Sequence, residues 1–400
     1  MVSVDVAPVD QPTTSDPEVG LRIAALFAGI GGIEQGLTLA GHHTATFCEV
    51  EQAAIDVLRD RFDADVPLVE DVADLDSLGD VGIVAVGFPC QDLSQAGRTA
   101  GIGGGRSGLV DHVFRLLKDR ADDPPRWLLL ENVPFMLQLD GGRAMYRLTE
   151  GLAELGYRWA YRVVDARAFG RPQRRRRVLM LASATHDPRG PLLMEDAGEP
   201  EPAAIGGRPC GFYWTEGIRG LGLAIDCVPT LKGGSTIGIP SPPGIWIPGE
   251  GIFTPDIRDA ERLQGFDADW AQAADAPGRR SGVRWKLVGN AVSVPLAQWL
   301  GNRLHDDHVY VDAADTELAV SDRWPYAAWG DASGRRRAPV SAWPRHTDTP
   351  GLLEFLEYPL RPLSERATAG FLRRARSSRL RFPDGFIADV AEHLRASAGA

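Results

Sequence analysis

Between residues 21 and 182, short apolar runs alternate with stretches of helical spacing, and no other feature restricts the possible folds as much. Residues 21–27, 44–50, 82–86, 127–130, 161–164 and 178–182 read as strands. Segments 32–40, 52–62 and 109–120 carry helical spacing between them, and Met145, Leu148, Leu152 and Leu155 fall on one helix face. Such a series predicts an α/β fold, with a mostly parallel sheet covered by helices on both faces. Chemistry in these folds gathers at the carboxyl ends of the strands. From 186 to 282 the texture changes to Gly, Pro and short mixed segments, which predicts a smaller, loop-rich domain. Residues 294–304 regain helical, apolar character, so 283–304 is expected to complete the domain begun at 21–185. Residues 1–20 read as a disordered tail, and 305–400 as a separate C-terminal extension.

Charge and cysteine content narrow the class. The chain carries 43 basic and 54 acidic residues, a formal net charge of −11. That balance argues against wholesale coating of nucleic acid but leaves room for a local basic cleft. No apolar stretch approaches the ~18 residues of a membrane helix, and the N-terminus lacks the pattern of a secretory signal. The four cysteines, Cys48, Cys90, Cys210 and Cys227, show neither C-x-x-C spacing nor framework density. Disulfides and zinc are therefore disfavoured, no metal site is expected, and a reducing cytoplasm is the expected compartment.

Several segments carry chemistry. Phe27-Ala28-Gly29-Ile30-Gly31-Gly32 follows the first strand and opens a helix, a turn in which glycines let the backbone approach a ligand closely. A dinucleotide fingerprint would place glycine at position 34, which is Glu34, so NAD and FAD lose ground. Glu49 ends the second strand, where a carboxylate commonly holds ribose hydroxyls, and Asp71-Val72 closes a possible third, suited to an adenine edge. With these two carboxylates the turn reads as a nucleoside site as readily as a structural one. Cys90 lies in Gly87-Phe88-Pro89-Cys90-Gln91, just past the strand at 82–86, and Glu131 follows the strand at 127–130, so both emerge on one edge. A thiolate beside a carboxylic acid suits conjugate addition to an electron-poor ring, because the acid protonates a ring nitrogen as the sulfur adds. Gln173-Arg174-Arg175-Arg176-Arg177 leads into the last strand, and alternation sends Arg175 and Arg177 to one face. That run suits an anionic substrate.

Taken in order, these motifs resemble the cytosine-C5 DNA methyltransferase family. The glycine turn is similar to its S-adenosylmethionine loop, the Pro89-Cys90-Gln91 segment to its nucleophile motif, and Glu131-Asn132-Val133 to its acid motif. Gln173, Arg175 and Arg177 match its Gln-x-Arg-x-Arg element. Arg262-Leu263-Gln264-Gly265-Phe266 resembles the motif closing the recognition region, and Gly289-Asn290-Ala291-Val292 the last motif. The likeness runs from about 21 to 304. Ala291 departs from it, since the family often has serine there.

The resemblance implies a Rossmann-like methyltransferase sheet at 21–185 and 283–304, a target-recognition domain at 186–282, and S-adenosylmethionine as cofactor. It implies cofactor contacts at Phe27, Gly29, Ile30, Gly31, Gly32, Glu49, Val50, Asp71, Val72, Pro89, Asn290 and Ala291. Cys90 would add to C6 of a flipped-out cytosine, Glu131 would protonate N3, and Arg177 with Arg175 would stabilise the base. Residues 91–108, with six glycines from Gly97 to Gly108, would be a mobile lid. Gln91, Ser94, Gln95, Arg106, Gln173, Thr230 and Lys232 are the expected DNA contacts, with Arg208, Arg219 and Trp214 as further candidates for reading bases. The expected partner is double-stranded DNA, met by a monomer in the bacterial cytoplasm and nucleoid, with a cognate restriction endonuclease as a possible counterpart. The rival expectations are an RNA cytosine-5 methyltransferase and a catalytically silent DNA-binding regulator. Basic clusters at Arg335-Arg336-Arg337 and from Arg373 to Arg381 suggest that the tail supplements DNA contact or docks a partner, or else simply packs, and residues 384–395 read as a terminal helix with Phe386, Val390 and Leu394 on one face.

Overall fold

The computed structural model describes residues 20–87, 108–233, 240–280, 282–306 and 308–398. Strand β1 (Arg22–Leu26) passes through the glycine turn into α1 (Gly32–Leu39), followed by β2 (His43–Cys48), α2 (Gln52–Arg61), β3 (Leu68–Val69) and β4 (Ile83–Val86). Next come α3 (Leu109–Lys118), β5 (Trp127–Asn132), α4 (Arg143–Glu154), β6 (Arg158–Asp165), β7 (Gln173–Arg174), β8 (Arg176–Ser183) and the short α5 (Arg189–Leu193). β4 and β5 are buried from end to end, as continuous apolar runs in the middle of a covered sheet should be.

Beyond residue 195 lie β9 (Cys210–Phe212), β10 (Ala224–Ile225), β11 (Val228–Pro229), β12 (Gly244–Ile247), β13 (Gly251–Thr254), α6 (Ile257–Gln264), α7 (Val283–Asn290) and α8 (Val294–Asn302). The final hundred residues add β14 (Thr316–Glu317), β15 (Ala327–Asp331), β16 (Gly334–Arg337), α9 (Leu352–Phe355), β17 (Arg361–Pro362), α10 (Glu365–Ser377) and α11 (Phe386–Ala398).

The α/β class is as expected, but the main sheet is mixed rather than mostly parallel. Its order is β14-β16-β15-β6-β8-β5-β4-β1-β2-β3. The run β3-β2-β1-β4-β5 is parallel, whereas β8 runs antiparallel to both β5 and β6. The reason is connection length. A parallel return needs a crossover of about a dozen residues or more, usually a helix. Residues 166–175, with a short 3₁₀ turn (Ala166–Phe169), the two residues of β7 and no α-helix, separate β6 from β8, so the chain doubles straight back.

The segment 305–400 is shared between two sheets. β15 pairs antiparallel with β6 and carries β16 and β14 outward, extending the main sheet. β17 instead pairs with β13 in a second, antiparallel sheet of order β10-β9-β12-β13-β17. Phe371 of α10 and Phe386 of α11 each pack against Phe212 of β9 with ring centroids 5.2 Å apart. Two helices from the extension thus build the core of the smaller sheet.

Packing of α1 on α8 joins the two ends of the domain. A Cβ on Gly32 would collide with the Val292 carbonyl, and one on Gly36 with Val294 and Ala297. Glu34, between these glycines in α1, is 1% exposed, with neither carboxylate oxygen hydrogen-bonded. Burial, aided by the nearby Glu49 charge, pushes its carboxyl up to about 8. The folded chain holds that proton to about pH 8, while an unfolded chain releases it near 4.5, so stability falls as pH rises between those values. Glu34→Gln is expected to raise Tm strongly at about pH 9 and little at about pH 5. An equal shift at both, read by thermal denaturation, would contradict a buried neutral acid.

Candidate active site

β1, β2, β3, β4 and β5 end side by side, and their carboxyl ends wall a cavity of about 460 Å³. Phe27, Gly29, Ile30, Glu49, Val50, Asp71, Val72, Asn290 and Ala291 line it, all residues the sequence assigned to a cofactor. Glu51, Glu70, Leu109, Leu287 and Val292 line it as well and escaped sequence reasoning. Leu109 and Leu287 had no local signal, because loops and distant helices bring them in, whereas Val292 stands in the last motif beside Asn290 and Ala291. Gly31 and Gly32 are a correction. Neither lines the cavity: Gly31, at φ 81°, has its Cβ direction filled by Phe62, and Gly32 is pressed against Val292. Their glycine identity serves the turn and the helix seam.

Glu49 organises the turn. Its carboxylate accepts from the Gly29 amide at 2.7 Å and the Glu51 amide at 2.8 Å, tying the glycine turn to the start of α2. Phe27 and Gly29 both adopt left-handed backbone, φ 58° and 57°. The cavity is rich in carboxylates and apolar side chains, a lining suited to a ligand with hydroxyls and positive charge.

Val86 of β4 pairs with Leu130 of β5, so Gly87 and Glu131 leave the sheet side by side. Both line the cavity. Pro89, Cys90, Gln91, Ser94, Gln95 and Arg106, with the rest of the expected lid up to Ser107, lie outside the described residues, as do residues 1–19 of the expected tail. The three described cysteines are poor nucleophiles. Burial, together with the Glu49 and Asp71 charges, pushes the Cys48 thiol up to about 12. Burial pushes Cys210 and Cys227 each up to about 11.

Glu131 is nearly buried and forms an ion pair with Arg177, Nε to Oε1, at 2.9 Å. Burial pushes its carboxyl above the ordinary range, against the pull of Arg177 and then Arg175. Its proton affinity therefore exceeds that of an exposed glutamate. On the other side of the pair, Arg177 opens on a wider cleft of about 880 Å³, lined also by Arg174, Arg176, Thr230, Lys232 and Asn290. Phe135 belongs to this cleft too and was missed. It stands 58% exposed on the 3₁₀ turn Pro134–Leu137, whose Met136 and Leu137 are buried and fix it in place.

Alternation along β7 and β8 holds: Arg175 and Arg177 are buried, Arg174 and Arg176 half-buried. Yet Arg175 is no simple partner of Arg177. Its guanidinium donates to the carbonyls of Leu231 at 3.4 Å, Gly289 at 3.2 Å and Ala291 at 2.5 Å. It clamps the Thr230 segment to the last motif, a positioning role in place of the expected contact with a base. Gln173 is a second correction. Expected to touch DNA, it is fully buried and donates to the Leu263 carbonyl at 3.2 Å. Thr230 donates to the Arg174 carbonyl at 3.0 Å. Lys232 pairs with Glu216 and lies 3.6 Å over the Tyr213 ring. Trp214 donates to the Pro242 carbonyl at 2.8 Å.

Comparison with known proteins gives one family. A model of C-5 cytosine-specific DNA methylases matches residues 21–195. The Type II methyltransferase M2.BsuMI of Bacillus subtilis (strain 168) is 48% identical over 381 residues, covering 92% of this chain and 96% of its own. The Type II methyltransferase M.NgoBI of Neisseria gonorrhoeae is 29% identical over 300 residues, 68% of this chain and 89% of its own. Among solved structures, the S. pombe Dnmt2 methyltransferase is similar in fold, with TM-score 0.51 and 15% identity over 70% of this chain and 97% of that one.

Replacement of Arg175 separates its two possible roles. Arg175→Met would strip the buried carbonyls of Leu231, Gly289 and Ala291 of a donor, at about 1–3 kcal/mol for each left unsatisfied. A large loss of stability in urea is the expected outcome. Native stability with a reduced reaction rate would instead make Arg175 a contact to substrate.

Proposed function

The chain belongs to the C-5 cytosine-specific DNA methylase family and is a DNA (cytosine-5-)-methyltransferase of the Type II kind, and we propose that it methylates a cytosine turned out of a specific duplex sequence, with Cys90 as nucleophile. One observation carries the reading: the carboxylate-rich cavity and the arginine-lined cleft meet at Glu131, Arg177 and Asn290. A small donor and a large anionic substrate would come together there.

S-adenosylmethionine fits the cavity. Gly29 faces open space, with nothing within 4 Å of where a Cβ would stand, and Glu49 and Asp71 offer acceptors to hydroxyl and amine groups. Phe27, Ile30, Val50, Val72, Asn290 and Ala291 would complete its contacts. When bound, it supplies the electrophilic methyl group that C5 takes up.

The chain's own residues prepare the base. Cytosine C5 is a weak nucleophile until addition at C6 converts the ring to an enamine. The Cys90 thiolate adds to C6, and Glu131 gives its proton to N3, which removes the negative charge the addition would leave there. Arg177 holds both Glu131 and the polar edge of the ring. After methylation, water takes the C5 proton, the C6–S bond breaks to free the Cys90 thiolate, and N3 returns its proton to Glu131, which restores the aromatic ring. The base must first leave the stack, at a cost of a few kcal/mol; the arginines of the cleft hold the strand while it is out.

Residues 186–282, with the helices α10 and α11 that complete their core, are the proposed target-recognition unit. Thr230 and Lys232 would face the backbone. The enzyme would act as a monomer in the bacterial cytoplasm and nucleoid, opposite a cognate restriction endonuclease. No helix among the described residues is long and apolar enough to cross a membrane.

Labelled-methyl transfer to duplex DNA and to tRNA, with trapping on 5-fluorocytosine DNA, tests the whole proposal. Methylation of DNA and a covalent adduct are expected from the wild type, with no adduct from Cys90→Ala. Glu131→Gln should slow transfer by about 10²–10⁴-fold. Transfer to tRNA alone would favour an RNA enzyme. DNA binding without transfer or adduct would leave a silent regulator.

A further inference from the structure

Residues 366–383 contain six arginines and no acidic residue, in a chain whose acidic residues outnumber its basic ones by 54 to 43. Two of the six, Arg374 and Arg376, fall in the last turn of α10, and Arg379 and Arg381 lie just beyond it. Basic residues in a last turn favour the helix dipole. That accounts for Arg376, but not for Arg379 and Arg381. Arg373, Arg376, Arg379 and Arg381 are all exposed. Among the described residues, none of the four enters an ion pair.

Arg374 differs from its neighbours and shows where the patch lies. Its guanidinium donates to the main-chain carbonyls of Trp214 at 2.7 Å and Glu216 at 2.9 Å. Gly217 packs under Phe371 of the same helix. The Glu216 carboxylate in turn pairs with Lys232, which lines the cleft together with Arg174, Arg176 and Arg177. The segment 214–217 thus links the arginine-bearing end of α10 to Lys232 on the cleft wall. Unpaired, exposed like charges repel one another, so a sequence that keeps four of them beside a cleft gains stability only when an anion lies across them.

We propose that Arg373, Arg376, Arg379 and Arg381 form an outer phosphate-binding surface, continuous with the cleft, that grips duplex DNA flanking the methylated site. This inference rests on the reading of the cleft as the DNA site. Guanidinium groups suit phosphate, which they can bind through two donors at once. The surface carries no sequence information. It sets register and adds affinity, and it does so through a part of the chain lying beyond the resemblance to known methyltransferase motifs.

The test is binding of the full chain to a mixed-sequence duplex of about 40 base pairs across a salt series, alongside methyl transfer to the same DNA. Arg373→Ala, Arg376→Ala, Arg379→Ala and Arg381→Ala combined should weaken binding at least about tenfold at ~0.1 M salt and flatten the log–log salt slope by about 2–4. The corresponding fourfold lysine replacement should retain most of the slope. If the alanine variant fails to fold, phenylglyoxal modification of the wild type replaces it, with the four arginines expected to be protected by DNA. An unchanged slope and affinity, or equal labelling with and without DNA, overturns the outer surface while leaving the cleft reading intact. A wild type that neither binds nor methylates duplex DNA would instead overturn the reading on which it rests.

Discussion

Strand β8 runs against β5, and from that direction follows the approach of Arg177 to Glu131. Leu179 pairs with Glu131 and Val178 with Asn132, so Arg177 stands at the carboxyl end of the parallel strands, diagonal to Glu131 on the same face. Had β8 been parallel, its first residues would lie at the opposite edge, about a strand length of ~17–20 Å away. The arginine run would then face solvent below the sheet. The short return from β6 forbids that arrangement. A constraint on loop length therefore places the cation beside the acid.

A second constraint closes the domain. The last motif, some 260 residues from the first, must reach the glycine turn, and it does so because Gly32 and Gly36 let α1 meet Val292 and Val294 closely. Buried polar groups then lock the junction. Gln264 donates to the Val288 carbonyl at 2.9 Å and accepts from Ser293 at 2.9 Å, Gln173 holds Leu263, and Arg175 holds Leu231, Gly289 and Ala291. A buried carbonyl without a donor is costly, so these side chains are hard to replace for reasons unconnected with the reaction. Motif residues here divide into those that line cavities and those that hold the cavities' walls together.

That division explains what could be read in the sequence. Strands and helices as far as Ala182 follow from periodicity, and the cavity residues follow from their places at strand ends. Spacing gave no means of separating Gly29, open to the cavity, from Gly31 and Gly32, which are packed. Alternation correctly buried Arg175 and Arg177, yet partners distant in sequence decide what each does, Glu131 for Arg177 and Leu231, Gly289 and Ala291 for Arg175. The same holds for α10 and α11. Phe386 and Val390 of α11 fall on one helix face, while the Phe212 surface that covers both helices lies more than 150 residues earlier. Local pattern assigns a side chain to inside or outside; it is silent on the neighbour met there.

The electrostatics of Glu131 depend on dryness. A carboxyl 2.9 Å from a guanidinium would ordinarily ionise, and only burial holds its proton affinity above the usual range. Water admitted to the cleft would lower the desolvation penalty and bring the proton affinity of the acid back down. A flat heterocycle filling the space beside Arg177 has the opposite effect, since it excludes solvent while offering a nitrogen to receive the proton. A ring seated there would therefore keep the proton affinity of Glu131 raised, as the proposed reaction needs. On this argument the buried ion pair contributes selectivity for an occupied site more than it contributes stability, consistent with the small net value such pairs have for folding.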